Sequence, residues 1–203
     1  NRRGHEFNTP KTAVNLDFID KHYVWSDSHK DFLVLRYPKS EIIPVGPIIF
    51  ESHKVYNTKP LNPRGVLYFD VTPFENLDYD TFYTSEMCRR AVSDLAEVCD
   101  VLGLRFHLKQ KRKEIRSHRK GIKHSKDYLE LLDYLESSRL MVRLDPRASI
   151  TELVMNYKVV IGLPFTSPVL ISSYLNRPSV YYVPGEIDDW DIQSERDNIS
   201  VIK

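Results

Sequence analysis

The stretch from Val159 to Pro184, VVIGLPFTSPVLISSYLNRPSVYYVP, constrains the fold of this chain more than any other. Val159-Val160-Ile161-Gly162 is continuously apolar, as a parallel strand covered on both faces must be. After the loop Leu163-Pro164-Phe165-Thr166, Ser167 stands at a helix N-cap with Pro168 at the first helical position. The serine oxygen there accepts an orphan N–H, and proline has none to leave unpaired. Asn176-Arg177-Pro178 closes the helix, and Ser179–Val183 supplies the next strand. A hydroxyl pair on a helix N-terminus just beyond a parallel strand is a ready anion site, with free N–H groups and the positive dipole end facing outward. Ser167 could equally do no more than cap its helix, and the residues alone leave both roles open.

The same grammar runs through the chain from Val66 onward. Val66–Asp70 reads as a strand, and Ser85–Leu102 as an amphipathic helix stopped by Gly103. Arg105–Lys109 is the next strand, Asp127–Ser137 a helix and Leu140–Leu144 a strand. Ser149-Ile150-Thr151-Glu152 is a capping box that opens a helix to Asn156. Ile199–Ile202 reads as a last strand. Repeated β-α-β units with apolar strands argue for an α/β fold with a doubly wound parallel sheet and right-handed crossovers. Ligands on such sheets bind beyond the carboxyl ends of the strands. The loops after Asp70, Lys109 and Asp145 and the loop Pro164–Ser167 are therefore expected along one rim.

Pro164-Phe165-Thr166-Ser167, preceded by a strand and followed by a short helix and Arg177–Tyr182 (RPSVYY), resembles the signature of bacterial polysaccharide-biosynthesis proteins named for a PFTS motif. More broadly, the chain from about Ile42 to its end is similar to the nucleotide-sugar-binding C-terminal lobe of GT-B-type glycosyltransferases, a Rossmann-like fold. The resemblance implies transfer of a sugar (of hexosyl or nonulosonyl/Kdo type) from a nucleotide-sugar in capsule or O-antigen assembly. The acceptor would be a glycan or lipid-linked glycan, the donor a substrate rather than a cofactor, and the setting cytoplasmic with peripheral contact at the inner membrane. It also implies that residues 1–45 are the tail of a preceding lobe and 46–203 the nucleotide-sugar-binding lobe. An extra strand and helix on the same sheet is the alternative for the first segment. The chain begins without Met and stops just after a strand, so a piece of a longer protein is expected. On that view the base that activates the acceptor lies mostly outside this piece, which should bind but not turn over. A nucleotide-sugar epimerase shares the fold but usually carries a Gly-rich word where PFTS stands, and a non-enzymatic nucleotide- or sugar-binding module is the third reading.

Charge narrows the partners. The 203 residues carry a net charge of only +1, yet ten Lys or Arg and one acid, Glu114, lie between Arg105 and Lys126. A solvated loop is the plain reading. Lys109, Lys111 and Arg112 sit at a strand's carboxyl end, where a cation would meet a nucleotide phosphate or an acidic sugar as a charge-assisted pair. Many related transferases show a His-Pro here that this chain lacks. Arg116, Arg119, Lys120 and Lys123 better suit anionic lipid head groups. Nucleic acid is not expected, since no aromatic stacking platform accompanies the charge.

Among single residues, Asp70, followed by Val71-Thr72-Pro73, could orient donor or acceptor or cap its turn. By resemblance, Asp145 lies near the base or ribose. Asp78-Tyr79-Asp80 and Asp189-Trp190-Asp191 have the D-x-D spacing that holds a divalent cation, but neither directly follows an apolar strand, and no metal is expected. His118 and His124 lack partner cysteines for zinc. Cys88 and Cys99 lie about 16 Å apart on one helix, too far to pair, and read as buried thiols in a reducing compartment. No stretch is apolar enough to span a membrane, and no G-x-G-x-x-G, Walker loop or G-x-S-x-G elbow occurs.

Overall fold

Strands β3 (Asn62–Asp70), β4 (Arg105–Gln110) and β6 (Tyr157–Gly162) lie side by side in the interior of a six-stranded sheet, and the apolar runs Val66–Phe69 and Val159–Ile161 suit burial on both faces. The computed structural model describes residues 19–46, 62–73, 83–111, 113, 124–164, 166–185 and 199–202. With β5 (Val142–Leu144), β7 (Ser179–Tyr182) and β8 (Ser200–Ile202), the sheet order is β5-β4-β3-β6-β7-β8. Every neighbouring pair is parallel. Counted within this sheet the order is 3-2-1-4-5-6, that of a Rossmann-like fold, with the reversal between β3 and β6. The expected doubly wound parallel sheet is present.

Helices cover the sheet according to strand alternation. Val66, Tyr68, Phe106 and Leu108 face α2 (Ser85–Val101) and α3 (Lys126–Ser137). Helix α2 presents Cys88, Ala91, Val92, Leu95 and Cys99 to that core, the i, i+3/i+4 stripe of a helix lying on a sheet. Its end is a Schellman turn: Leu104 N–H donates to Cys99 O at 2.8 Å, and Gly103 takes φ +60°. Both cysteines are free and buried, and burial pushes the Cys99 thiol up to about 11. On edge strand β5, Arg143 reaches back to α3, 2.9 Å from Asp133 and 3.2 Å from Glu136.

Helices α4 (Ile150–Asn156) and α5 (Ser167–Tyr174) pack on each other. Val169 of α5 is buried with Tyr181 and Ile199 in a second cluster. Ser149 caps α4 as its sequence predicts, accepting from Glu152 N–H.

Residues 1–52 form a compact unit distinct from 53–203. Among its described residues, β1 (Lys21–Val24) and β2 (Glu41–Pro44) pair in parallel as their own two-stranded sheet. Helix α1 (Asp27–Arg36), capped by Ser26, joins them. Strand β2 is thus paired with β1 and, among the described residues, does not join the six-stranded sheet.

Gly162 fixes how closely α5 approaches β6. A Cβ there would lie 2.6 Å from Thr166 Oγ1 and 2.8 Å from Val169 Cγ2, well inside contact distance. Gly162→Ala must therefore displace α5, and we expect it to destabilise the chain by about 1–3 kcal/mol. Chemical denaturation measures this; an alanine variant as stable as the wild type would show that α5 yields freely.

Candidate functional site

All carboxyl ends of the parallel sheet lie on one edge, so Leu144, Gln110, Asp70, Gly162 and Tyr182 end on a common rim. Asp70 and Gly162 flank the point where strand order reverses, the place at which such sheets open a crevice.

The PFTS loop leaves β6 at that point. Thr166, not Ser167, is the N-cap of α5, with φ −82° and ψ 123°, and no side chain caps the helix. The expected serine cap is one residue off, and its hydroxyl does not perform the role. Both hydroxyl residues are compatible with a cap, and proline is tolerated anywhere in a helix's first turn, so the sequence did not separate the two registers. Thr166 Oγ1 turns inward and donates to Leu163 O at 2.7 Å, and its N–H approaches the same oxygen at 3.3 Å. Ser167 is exposed at the first helical position. Pro164 is buried, and its carbonyl accepts from the Tyr83 hydroxyl at 2.6 Å. Phe165 lies outside the described residues.

Asp70 is the polar hub beside this loop. It is 4% exposed, and its carboxylate accepts from the hydroxyls of Thr72 and Tyr128, the latter at 2.6 Å. The backbone N–H groups of Val71 and Thr72 also donate to it. Burial raises the Asp70 carboxyl above its ordinary value, while these hydrogen bonds pull the other way. Burial likewise holds the Tyr128 phenol protonated, so it donates. The turn is strained: Thr72, a β-branched residue, takes φ +51°, a conformation that persists only when its surroundings impose it. Ser125 N–H binds Pro73 O at 2.9 Å, and Ser125 Oγ meets Ser85 Oγ at 2.7 Å. Asp70 therefore caps its own turn while tying it to α3.

The basic residues divide differently from their order in sequence. Lys109 is 5% exposed, and its ammonium donates to Pro146 O at 3.0 Å and Gln110 O at 3.4 Å. Burial lowers its pKa, partly offset by Asp145. Strand alternation puts it on the face of its register partner Phe69, whose ring centroid is 6.0 Å away. It clamps the loop after β5 from beneath and is not displayed on the rim. Lys111 is exposed just beyond β4. Asp145 is exposed and accepts from Arg147 N–H at 2.8 Å, closing its own turn. Arg112, the run Arg116 to Lys123 and both D-x-D words lie outside the described residues. Among the described residues no cluster of three or more His, Cys, Asp or Glu could hold a metal. No described helix is long and apolar enough to cross a membrane.

Tyr83, Tyr128, Ser85, Ser125 and Gln110 join the rim without any sequence signal having named them. Gln110 is 2% exposed and is the register partner of Asp70. Its amide nitrogen and the Tyr68 hydroxyl are buried without a hydrogen-bond partner among the described residues. A cavity of about 240 Å³ opens at the opposite, amino edge of the sheet, between Arg64, Gly65, Leu104 and Lys158.

The Asp70 environment has a sign. Its folded-state pKa is raised, so the native chain binds this proton more readily than the unfolded chain does. Stability from this group is present below the ordinary carboxylate range and is lost as pH rises through the folded-state pKa. The stability difference between wild type and Asp70→Asn should therefore move against the wild type as pH rises across that window. Denaturation at a series of pH values reads it, and a difference independent of pH means Asp70 titrates normally.

A search of curated proteins found no match. The family model described as "Polysaccharide biosynthesis PFTS motif protein" matches residues 5–201, nearly the whole chain. With its motif set at the reversal point of a Rossmann-like sheet, the chain belongs to the polysaccharide-biosynthesis PFTS-motif family.

Proposed function

We propose that residues 46–203 are the donor-binding lobe of a GT-B-type glycosyltransferase that transfers a sugar from a nucleotide-sugar during bacterial surface-polysaccharide assembly. The observation that carries this reading is the PFTS loop beside the reversal of strand order, opening α5 with no side-chain cap. Pro168 has no N–H, and those of Thr166 and Val169 are bonded to Leu163 O and Thr166 O, so the uncapped start offers the Ser167 N–H and the positive dipole end to an anion, here the donor's phosphates. Charge grows on the leaving nucleotide phosphate as the sugar departs, so both act where they are most useful. Lys111, exposed just beyond β4, is a described cation of the run suited to a second phosphate contact. Asp70 and Thr72 support the site from below, since their polar groups are already committed to each other and to Tyr128. Lys109 supports it in the same sense, by fixing the loop that carries Asp145. The acceptor is a glycan or a lipid-linked glycan, approached from the cytoplasmic face of the inner membrane.

Two outcomes follow. The double substitution Thr166→Ala with Ser167→Ala keeps the backbone N–H of residue 167 but removes its exposed hydroxyl and the bond from Thr166 to Leu163 O, so it should weaken nucleotide binding while costing about 0.5–1.5 kcal/mol of stability. Calorimetric titration with CMP, UDP, GDP and dTDP checks this, and unchanged affinity in a folded double variant would show that the two hydroxyls take no part in the site.

On this reading the phosphate is held by the Ser167 amide, the helix dipole and cations of the chain, so nucleotide binding should also persist in EDTA. Binding that collapses on chelation and returns with magnesium or manganese would instead favour a carboxylate-held cation.

A further inference from the structure

The loop proposed to hold phosphate is tied from outside by the Tyr83 hydroxyl. Tyr83 lies just before the N-cap Thr84 of α2, and its phenol donates to Pro164 O at 2.6 Å across 81 residues of sequence. Its ring is half-buried and packs against the main core, so the hydroxyl is delivered by a fixed arm. The carbonyls of the loop matter because each carries partial negative charge, and one turned toward the crevice would repel an anion. Leu163 O is taken by Thr166, through both its N–H and its hydroxyl. Thr166 O is taken by Val169 N–H at 3.1 Å. Among the described residues, no group of the loop donates to Pro164 O. Tyr83 supplies that donor.

We propose that Tyr83 is a positioning residue for the PFTS loop: its hydroxyl holds the Pro164 carbonyl away from the anion so that the start of α5 meets the nucleotide's phosphates. This rests on the donor-site reading above. The hydrogen bond also joins the starts of α2 and α5 on either side of the strand-order reversal. Tyr83 touches no reacting atom itself and acts through the loop.

The test compares wild type and Tyr83→Phe, which keeps the packed ring and removes the hydroxyl. Each is titrated with UDP, GDP, CMP and dTDP and with the corresponding nucleosides. Tyr83→Phe should weaken the nucleotide that the wild type binds best by about tenfold and leave its nucleoside unchanged, since only the phosphate feels the freed carbonyl. Tenfold corresponds to about 1.4 kcal/mol. Nucleotide affinity equal to wild type overturns the inference and leaves the donor site standing. Equal weakening of nucleotide and nucleoside also overturns it, because that pattern marks general loosening of the fold. A wild-type chain that binds none of the four nucleotides overturns the donor-site reading, and this inference with it.

Discussion

Parallel pairing of β3 with β6 is the constraint from which the rest of the sheet follows. Residues 66–69 pair in register with 159–162 although more than ninety residues separate them. Parallel neighbours cannot be joined by a hairpin, so the intervening chain must cross over in β-α units, and it builds β4 and β5 on one side. After β6 the chain runs the other way, to β7 and β8. The crossovers diverge at this pair, and the loops after Asp70 and Gly162 face each other across the gap. A motif that seats its loop there occupies the position with most access to a ligand.

Around that gap the molecule accepts costs that a purely structural sheet would avoid. A carboxylate is buried at Asp70, a β-branched residue is held at positive φ at Thr72, and an ammonium is drawn under the rim at Lys109. Each is satisfied or imposed locally: four donors reach Asp70, and two carbonyls reach Lys109. Burial of such groups is tolerated only when they are hydrogen-bonded, so the satisfied network locks the geometry of its loops. Gln110 and Tyr68 differ, each with a polar atom that finds no partner among the described residues. Asp70 is the residue through which β3, its turn and α3 are fixed together.

The fold was legible because its signals are local. Apolar runs at Val66–Phe69 and Val159–Ile161 announce two-sided strands, and the Cys88–Cys99 stripe announces the covered face of α2. Gly103 announces the end of that helix by its φ of +60°. The site was legible only in outline. The rim order followed from parallel topology, but the cap of α5 fell one residue early because Thr166 and Ser167 obey the same rule. Lys109 looked like a rim cation because charge runs are read in one dimension, whereas strand alternation turns it toward Phe69. Tyr83 and Tyr128 were invisible for a different reason. Their bonds to Pro164 and Asp70 span 81 and 58 residues, and no local pattern encodes such a contact. The pairing of β1 with β2 was missed on the same ground.

Amide hydrogen exchange in the presence and absence of nucleotide tests the central claim most directly, because it reports where on the sheet the ligand sits. With whichever of CMP, UDP, GDP or dTDP binds, the account predicts slowed exchange across residues 163–170 at the start of α5. Exchange at residues 64–66 and 158–159, on the amino edge beside the cavity, should stay unchanged. Protection at that amino edge, with residues 163–170 exchanging as before, would contradict it.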